Sequence, residues 1–317
     1  MNSTQEYYTV VEKIIRNLET CIIGKTEEIR LLVTALIANG HVLLEDVPGT
    51  GKTVLIKALA KSIGGRFHRI QCNPDLLPTD ITGVSIYHPK QETFIFRPGP
   101  VMTNILLVDE INRATTKTQS ALLEAMEEKH VSIDGESHPL PLPFLLLATQ
   151  NPIEFEGTYK LPEAQMDRFL FKFGLGYPDE ETELKMIRSH SQTHPLDELK
   201  SVSTIEQVMH LQEMARNVHI DDAVIQYAVR IIRLTREHGA VQLGASPRAS
   251  LNLVHAAKAY ALTEGRDYVI PDDIKKLVPY VLKHRMILHP EAQMEGHTLD
   301  SVLKTIMEQV QVPIRVE

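Results

Sequence analysis

The chain is 317 residues long, 43% hydrophobic and 23% charged, with a formal net charge of −8 at pH 7. A length of this order suits about two domains of roughly 100–200 residues each, and the composition is that of a packed globular protein, which excludes wholesale disorder and any need for a disulfide scaffold. The acidic balance gives no general attraction to polyanions, so nucleic acid is disfavoured as a partner, although a local basic channel would be compatible with it.

The opening MNSTQEYYTVVEKIIRNLET alternates apolar with charged or polar residues and lacks the basic start and apolar core of a secretory signal. No stretch reaches the roughly 18–20 apolar residues of a membrane span, so a cytoplasmic location without membrane insertion is expected. Cys21 and Cys72 stand far apart and outside any CxxC spacing. They read as two small buried hydrophobes, not as a disulfide or half of a zinc ribbon.

Residues 42–45 (VLLE), 67–71 (FHRIQ), 105–109 (ILLVD), 144–149 (FLLLAT) and 169–173 (FLFKF) read as five short strands, the middle ones uninterruptedly apolar. Such strands belong in a parallel sheet covered on both faces. The helical segments Thr53–Ser62 and Lys117–Glu128 lie between them, which gives the βαβ alternation of a doubly wound α/β fold. Two insertions, 81–100 and 131–143, carry turn residues between strand-like pieces and read as β-hairpins. Beyond Pro178 the pattern turns helical, at about 179–190, 204–216, 221–238, 247–264 and 272–284, with Asp222, Ser246 and Pro271 as start signals. An α/β domain over 1–178 and an all-helical domain over 179–317 are expected.

The first strand runs into Glu45-Asp46-Val47-Pro48-Gly49-Thr50-Gly51-Lys52-Thr53 and then into a helix, the arrangement of a P-loop. Phosphates need a backbone that wraps them with its N–H groups turned inward; Gly49 and Gly51 permit that path, and the following helix offers its positive end. Lys52 can reach the β- and γ-phosphates, and the Thr53 hydroxyl can ligate a Mg²⁺ ion bridging them. The expected contacts of ATP or ADP run through Pro48, Gly49, Thr50, Gly51, Lys52, Thr53 and Val54. The first glycine of the general pattern is replaced by Asp46. A second acidic motif, Ile105-Leu106-Leu107-Val108-Asp109-Glu110, ends another apolar strand: Asp109 faces the Mg²⁺ position, and Glu110 can polarise the attacking water.

These motifs, with Ala148-Thr149-Gln150-Asn151-Pro152 ending the next strand and Ser246-Pro247-Arg248 in the helical part, resemble the AAA+ superfamily. More narrowly, LLEDVPGTGKT, VDEINRA, LLEAMEE, ATQNPIEFEGTYKLPEAQMDRF and GASPRA are similar to the MoxR family, over roughly residues 20–285. The resemblance implies an AAA+ core followed by a helical lid, ATP hydrolysis with Mg²⁺, and assembly into a ring, a hexamer by kinship. It assigns Asn151 as sensor 1, Arg168 as the arginine finger given to a neighbouring subunit, Arg248 as sensor 2, and Ile22-Ile23-Gly24 as the adenine-side segment. Arg113 in EINRA is a further candidate for a contact between subunits. An ion pair of Arg168 with Glu163 or Asp167 is its plainer alternative. The hairpins resemble the helix-2 insert and the pre-sensor-1 hairpin, which face the ring axis in related machines and are the candidates for partner contact.

The leading function is therefore a chaperone-like ATPase acting on a protein partner, a class that in this family often contains von Willebrand factor A domains. A nucleic-acid motor of the helicase type and a magnesium-chelatase-like subunit are the alternatives. The first hairpin carries His88, Lys90, Phe94 and Arg97 and the second Asp134, Glu136 and His138, so the pore they would line is not clearly basic. The fourteen histidines show no HExxH, and the His190–His194 spacing precedes Pro195 in a loop-like stretch, which favours solvated histidines over a metal site.

Overall fold

A computed structural model describes residues 3–151, 159–189 and 195–313. Helices α1 (Ser3–Glu19) and α2 (Thr26–Ile37) precede strand β1 (Val42–Glu45), which enters α3 (Lys52–Ser62) through the glycine loop. Strand β2 (Phe67–Gln71) and the short α4 (Pro78–Thr82) lead to the antiparallel pair β3 (Gly83–His88) and β4 (Thr93–Pro98). Then come β5 (Ile105–Asp109), a 3-10 turn at Ile111–Arg113, α5 (Thr116–Glu128), and the antiparallel pair β6 (His130–Ile133) and β7 (Glu136–Pro139). Strand β8 (Leu145–Gln150), α6 (Glu163–Met166) and β9 (Phe171–Phe173) complete the α/β part. A mostly helical part, called the lid below, follows as α7 (Glu180–Ser189), α8 (Pro195–Glu198), α9 (Ile205–Asn217), α10 (Asp222–Glu237), β10 (Val241–Leu243), α11 (Pro247–Thr263), α12 (Pro271–Leu282), β11 (Ile287–Leu288), α13 (Pro290–Met294) and α14 (Leu299–Gln309), with β10 and β11 an antiparallel pair in the region expected to be all-helical.

The central sheet has the order β2–β5–β8–β1–β9 with every pair parallel. Side chains alternate between its faces. Val42, Leu44, Ile105, Leu107, Leu145 and Leu147 join one apolar cluster with α1–α3 and with lid residues such as Leu211, Tyr227, Leu253 and Leu277. Leu43, Leu106, Val108, Leu146 and Ala148 join a second cluster with Leu122, Met126 and Phe144. The lid is thus continuous with the hydrophobic layer on one face of the sheet, while α5 and the bases of the hairpins cover the other.

Three strands have the limits read from sequence, and β8 lies one residue later. The last is shorter than 169–173 because the Phe169 carbonyl is taken by His284 and Arg285 and the Leu170 carbonyl by Arg285. In the lid, Asp221 is the cap of α10, its carboxylate accepting the Ala223 N–H, and Asp222 is the first helical residue. Helices α13 and α14 had no counterpart in the sequence reading, although Thr298 and Ser301 form a reciprocal cap at the start of α14. His190 and His194 lie outside the described residues. No helix among the described residues is long and apolar enough to cross a membrane.

His41, just before β1, ties three elements together. Its Nε2 faces the Met126 carbonyl at 3.1 Å, and its Nδ1 accepts the Leu146 N–H at 3.0 Å, so the neutral ring protonated on Nε2 satisfies both. Burial lowers its pKa from 6.5 to about 4. The unfolded chain therefore takes up this proton first, and stability present above pH 6.5 is lost as pH falls toward about 4, by about 3 kcal/mol from this residue. Urea titrations of wild type and His41→Gln across that range should show a shallower pH slope for the variant. Phe171 is fully buried in β9, so Phe171→Ala should cost about 3–5 kcal/mol in the same assay.

Candidate functional site

The C-terminal ends of β1, β5 and β8 meet at a cavity of about 410 Å³ lined by Asp46, residues 48–54, Arg69, Gln71, Asp109, Glu110, Thr149, Gln150 and Asn151. The structure thus brings the predicted phosphate loop, acidic pair and sensor-1 asparagine to one place. Gly49 and Gly51 have φ of +86° and +88°, a left-handed backbone that other residues adopt only with strain. Gly51 opens α3, and a Cβ there would stand 3.2 Å from Cδ1 of Ile22. The Ile22-Ile23-Gly24 turn therefore lies against the loop on one side. On the other side, Gly24 (φ +76°) approaches Thr182 of α7 so closely that a Cβ would meet it at 2.9 Å. Lys52 Nζ donates to the Val47 carbonyl at 2.6 Å and to Thr50 Oγ1 at 3.2 Å.

Asp46, the departure from the general loop pattern, is buried and is the loop's anchor. Its Oδ1 accepts the Val47 N–H (2.9 Å), and its Oδ2 accepts the Thr50 hydroxyl (2.7 Å) and the N–H groups of Leu175 (3.0 Å) and Gly176 (3.2 Å). One carboxylate thus fastens the phosphate loop to the strand-to-lid connection.

The acidic pair is held with equal specificity. Asp109 receives the Thr149 hydroxyl on Oδ1 (3.2 Å) and the Arg69 Nε–H on Oδ2 (2.6 Å). Glu110 has a left-handed backbone (φ 55°), and its N–H donates to Thr149 Oγ1 at 2.9 Å. A strained residue at a strand end is held only where its surroundings over-determine it, and Thr149 does so here. Glu110 Oε2 pairs with Arg113 at 3.1 Å, within the same chain. Thr53 and Asp109 line the same cavity and carry hard oxygen donors of the kind Mg²⁺ takes, so the pair fits that ion; Arg69 holds the Asp109 carboxylate here.

Arg168 and Arg248 stand elsewhere. Arg168 precedes β9, Arg248 begins α11, and both pair with Glu127 at the end of α5, Arg248 to Oε1 at 3.0 Å and Arg168 to Oε2. Glu163 and Asp167, the partners weighed from sequence, are not the ones Arg168 uses. A separate cavity of about 200 Å³ includes both arginines, Glu127, Lys129, Gly40 and His41. It lies at the N-terminal ends of β1 and β9, opposite the phosphate loop. Glu127 is the one carboxylate among the residues lining it, against Lys129, Arg168 and Arg248. Burial lowers the pKa of Lys129, and Arg216 nearby adds to the effect.

Residues 41–171 match the ATPase family associated with various cellular activities (AAA), and residues 233–306 match the AAA lid domain. The uncharacterised Bacillus subtilis protein YeaC is 52% identical over 98% of this chain and 97% of its own length. A solved structure of a candidate ATPase from Cytophaga hutchinsonii superposes with a TM-score of 0.90 at 38% identity, covering 98% of this chain and 97% of that one. Chaperone MoxR1 of Mycobacterium tuberculosis is 44% identical over 96% of this chain and 82% of its own length. The chain belongs to the MoxR family of AAA+ ATPases. Membership in a MoxR-type ATPase family implies nucleotide binding, for which the cavity at Lys52 is the candidate.

Sequence reasoning gave no role to Arg69 and Gln71, or to Thr149 and Glu127, although the last two lie in motifs it singled out. Arg69 and Gln71 share one side of an edge strand by their two-residue spacing, a weak signal. Asp46→Ala leaves the buried Leu175 amide, the Gly176 amide and the Thr50 hydroxyl without their acceptor, at a cost of about 1–3 kcal/mol. Nucleotide affinity, followed with a fluorescent ATP analogue, should fall about tenfold or more.

Proposed function

We propose that this MoxR-family protein hydrolyses ATP at sites shared between the subunits of a ring, a hexamer by kinship, and uses the cycle to remodel or mature a protein partner. The observation that carries the reading is the pairing of Arg168 and Arg248 on one carboxylate, Glu127, at the end of the sheet remote from their own phosphate loop. Residues 1–178 would act as the nucleotide-binding unit and 179–317 as the lid.

In this reading the backbone amides of 48–53 wrap the phosphates and Lys52 leaves the Val47 carbonyl to meet the γ-phosphate. Glu110 polarises the attacking water, and Asn151 holds that water or the γ-phosphate through its amide. Thr53 and Asp109 would hold a Mg²⁺ ion, which when bound would offset the negative charge of the phosphates. Arg168 and Arg248 of the neighbouring subunit supply fixed positive charge to the transition state, which supports a trans role for both. The Arg113 contact to its own Glu110 supports a role inside its own site and not at a subunit boundary.

The β3–β4 hairpin supports a protein client. Phe94 is 72% exposed, Tyr87 packs edge-on against it at 5.4 Å, and Ile86 and Ile95 are exposed beside them. Phe96 stacks on His138 at 3.9 Å, which joins this hairpin to the β6–β7 hairpin. Lys90 and Arg97 are offset by Glu92, Asp134 and Glu136, so charge gives no support to a nucleic-acid motor. Von Willebrand factor A domain proteins as clients, and the chelatase-like alternative, rest on kinship alone.

ATPase rate against protein concentration, for wild type and two variants, tests the reading. Specific activity should climb with concentration. Arg168→Ala should lower it about a thousandfold, the order that an arginine at the transition-state charge contributes, and Glu110→Gln should bind ATP but turn it over at least about a hundredfold more slowly. A flat rate indifferent to Arg168→Ala would leave an ATPase without shared sites.

A further inference from the structure

Arg285, in the turn that follows α12, is a buried cation that no part of the nucleotide chemistry uses. All five of its N–H groups have acceptors. Nε donates to Asp167 Oδ1 at 2.6 Å, Nη2 to the carbonyls of Asp167 (3.0 Å) and Phe169 (2.6 Å), and Nη1 to the carbonyls of Leu170 (3.3 Å) and Val281. Four of those five acceptors belong to residues 167–170, the segment that carries Arg168. His284 adds a contact from Nε2 to the Phe169 carbonyl at 3.0 Å. From another lid element, the Ser246 hydroxyl donates to Asp167 Oδ2 at 3.0 Å. Ser246 occupies the cap position of α11 but makes no side-chain cap there, and Arg248 follows two residues later.

We infer that Arg285 is a positioning residue: with Ser246 it welds the Arg168 segment to the lid, so that Arg168 and Arg248 reach the neighbouring subunit's phosphate as one rigid pair. The inference rests on the shared-site reading above. Stability alone accounts poorly for the geometry, because packed apolar residues commonly replace a buried ion pair without loss. Here a planar five-donor fork is spent on the carbonyls flanking one arginine, and a helix cap is given up for the same aspartate. Lid movement driven by nucleotide at one site would then move both arginines against the next.

Mixed preparations of full-length chains separate the two ideas. The acceptor carries Arg168→Ala, which keeps its phosphate loop but lacks the finger; the donor carries Lys52→Ala, which lacks nucleotide affinity but keeps Arg168. The shared-site reading requires ATPase activity to return on mixing. Adding Arg285→Lys to the donor keeps the charge but loses the fork, and the restored rate should drop at least about tenfold, because a small misplacement of a catalytic group has costs of that order. Fluorescent ATP-analogue affinity of the single Arg285→Lys chain, which reports its own phosphate loop, should stay within about twofold. A donor carrying Ser246→Ala, which loses one hydrogen bond to Asp167, should restore about fivefold less and serves if Arg285→Lys does not fold. A Lys52→Ala donor that restores nothing overturns the shared site, and the clamp with it. Restoration by Ser246→Ala and any folded Arg285→Lys donor as fully as by Lys52→Ala alone overturns the clamp and leaves the shared site standing.

Discussion

A parallel strand buried on both faces can present polar chemistry only at its two ends, and the arrangement of this molecule follows from that constraint. The C-terminal ends of β1, β5 and β8 deliver Lys52, Asp109, Glu110 and Asn151 to one cavity. The opposite ends of β1 and β9 deliver Arg168, with Arg248 beside it, to another. Strand β1, whose two ends these are, is four residues long and spans roughly 13 Å, beyond the reach of an arginine side chain. In this arrangement neither arginine reaches its own phosphate loop: Arg168 is fixed in the turn before β9, and Arg248 sits in a lid that shares the apolar layer on the sheet's face. The proposed sharing of sites between subunits would resolve this separation.

The same constraint makes the two ends mechanically dependent on what lies between them. At one end, Asp46 fastens the phosphate loop to the Leu175–Gly176 connection that leads into the lid. At the other, Arg285 and Ser246 of the lid grip Asp167. Both are single carboxylates that accept from two segments, and both lie on the path from sheet to lid. Asp46 is buried and Asp167 half-buried, and a carboxylate withdrawn from water is costly to leave unpaired, so each holds its neighbours in one arrangement.

What could be read from sequence was what is contiguous. An apolar run, a glycine loop and a helix in succession define the phosphate loop, and an apolar run ending in Asp109-Glu110 defines its acidic partner. Arg69, Glu127 and Arg285 escaped that reading because their partners are distant along the chain: Arg69 meets Asp109 across 40 positions and Arg285 meets Asp167 across 118. Arg168 and Arg248 were singled out by family likeness, but that one residue, Glu127, holds both depends on packing between α5, the turn before β9 and α11. The short β9 has the same origin, since carbonyls that could extend the strand are claimed by the lid.

The most direct measurement is an electron cryo-microscopy structure of Glu110→Gln with ATP. The account predicts Arg168 and Arg248 of one subunit at hydrogen-bonding distance, about 3 Å, from the γ-phosphate bound at Lys52 of the next. An ATP contacted by Arg248 of its own chain, with Arg168 far from any nucleotide, would contradict it.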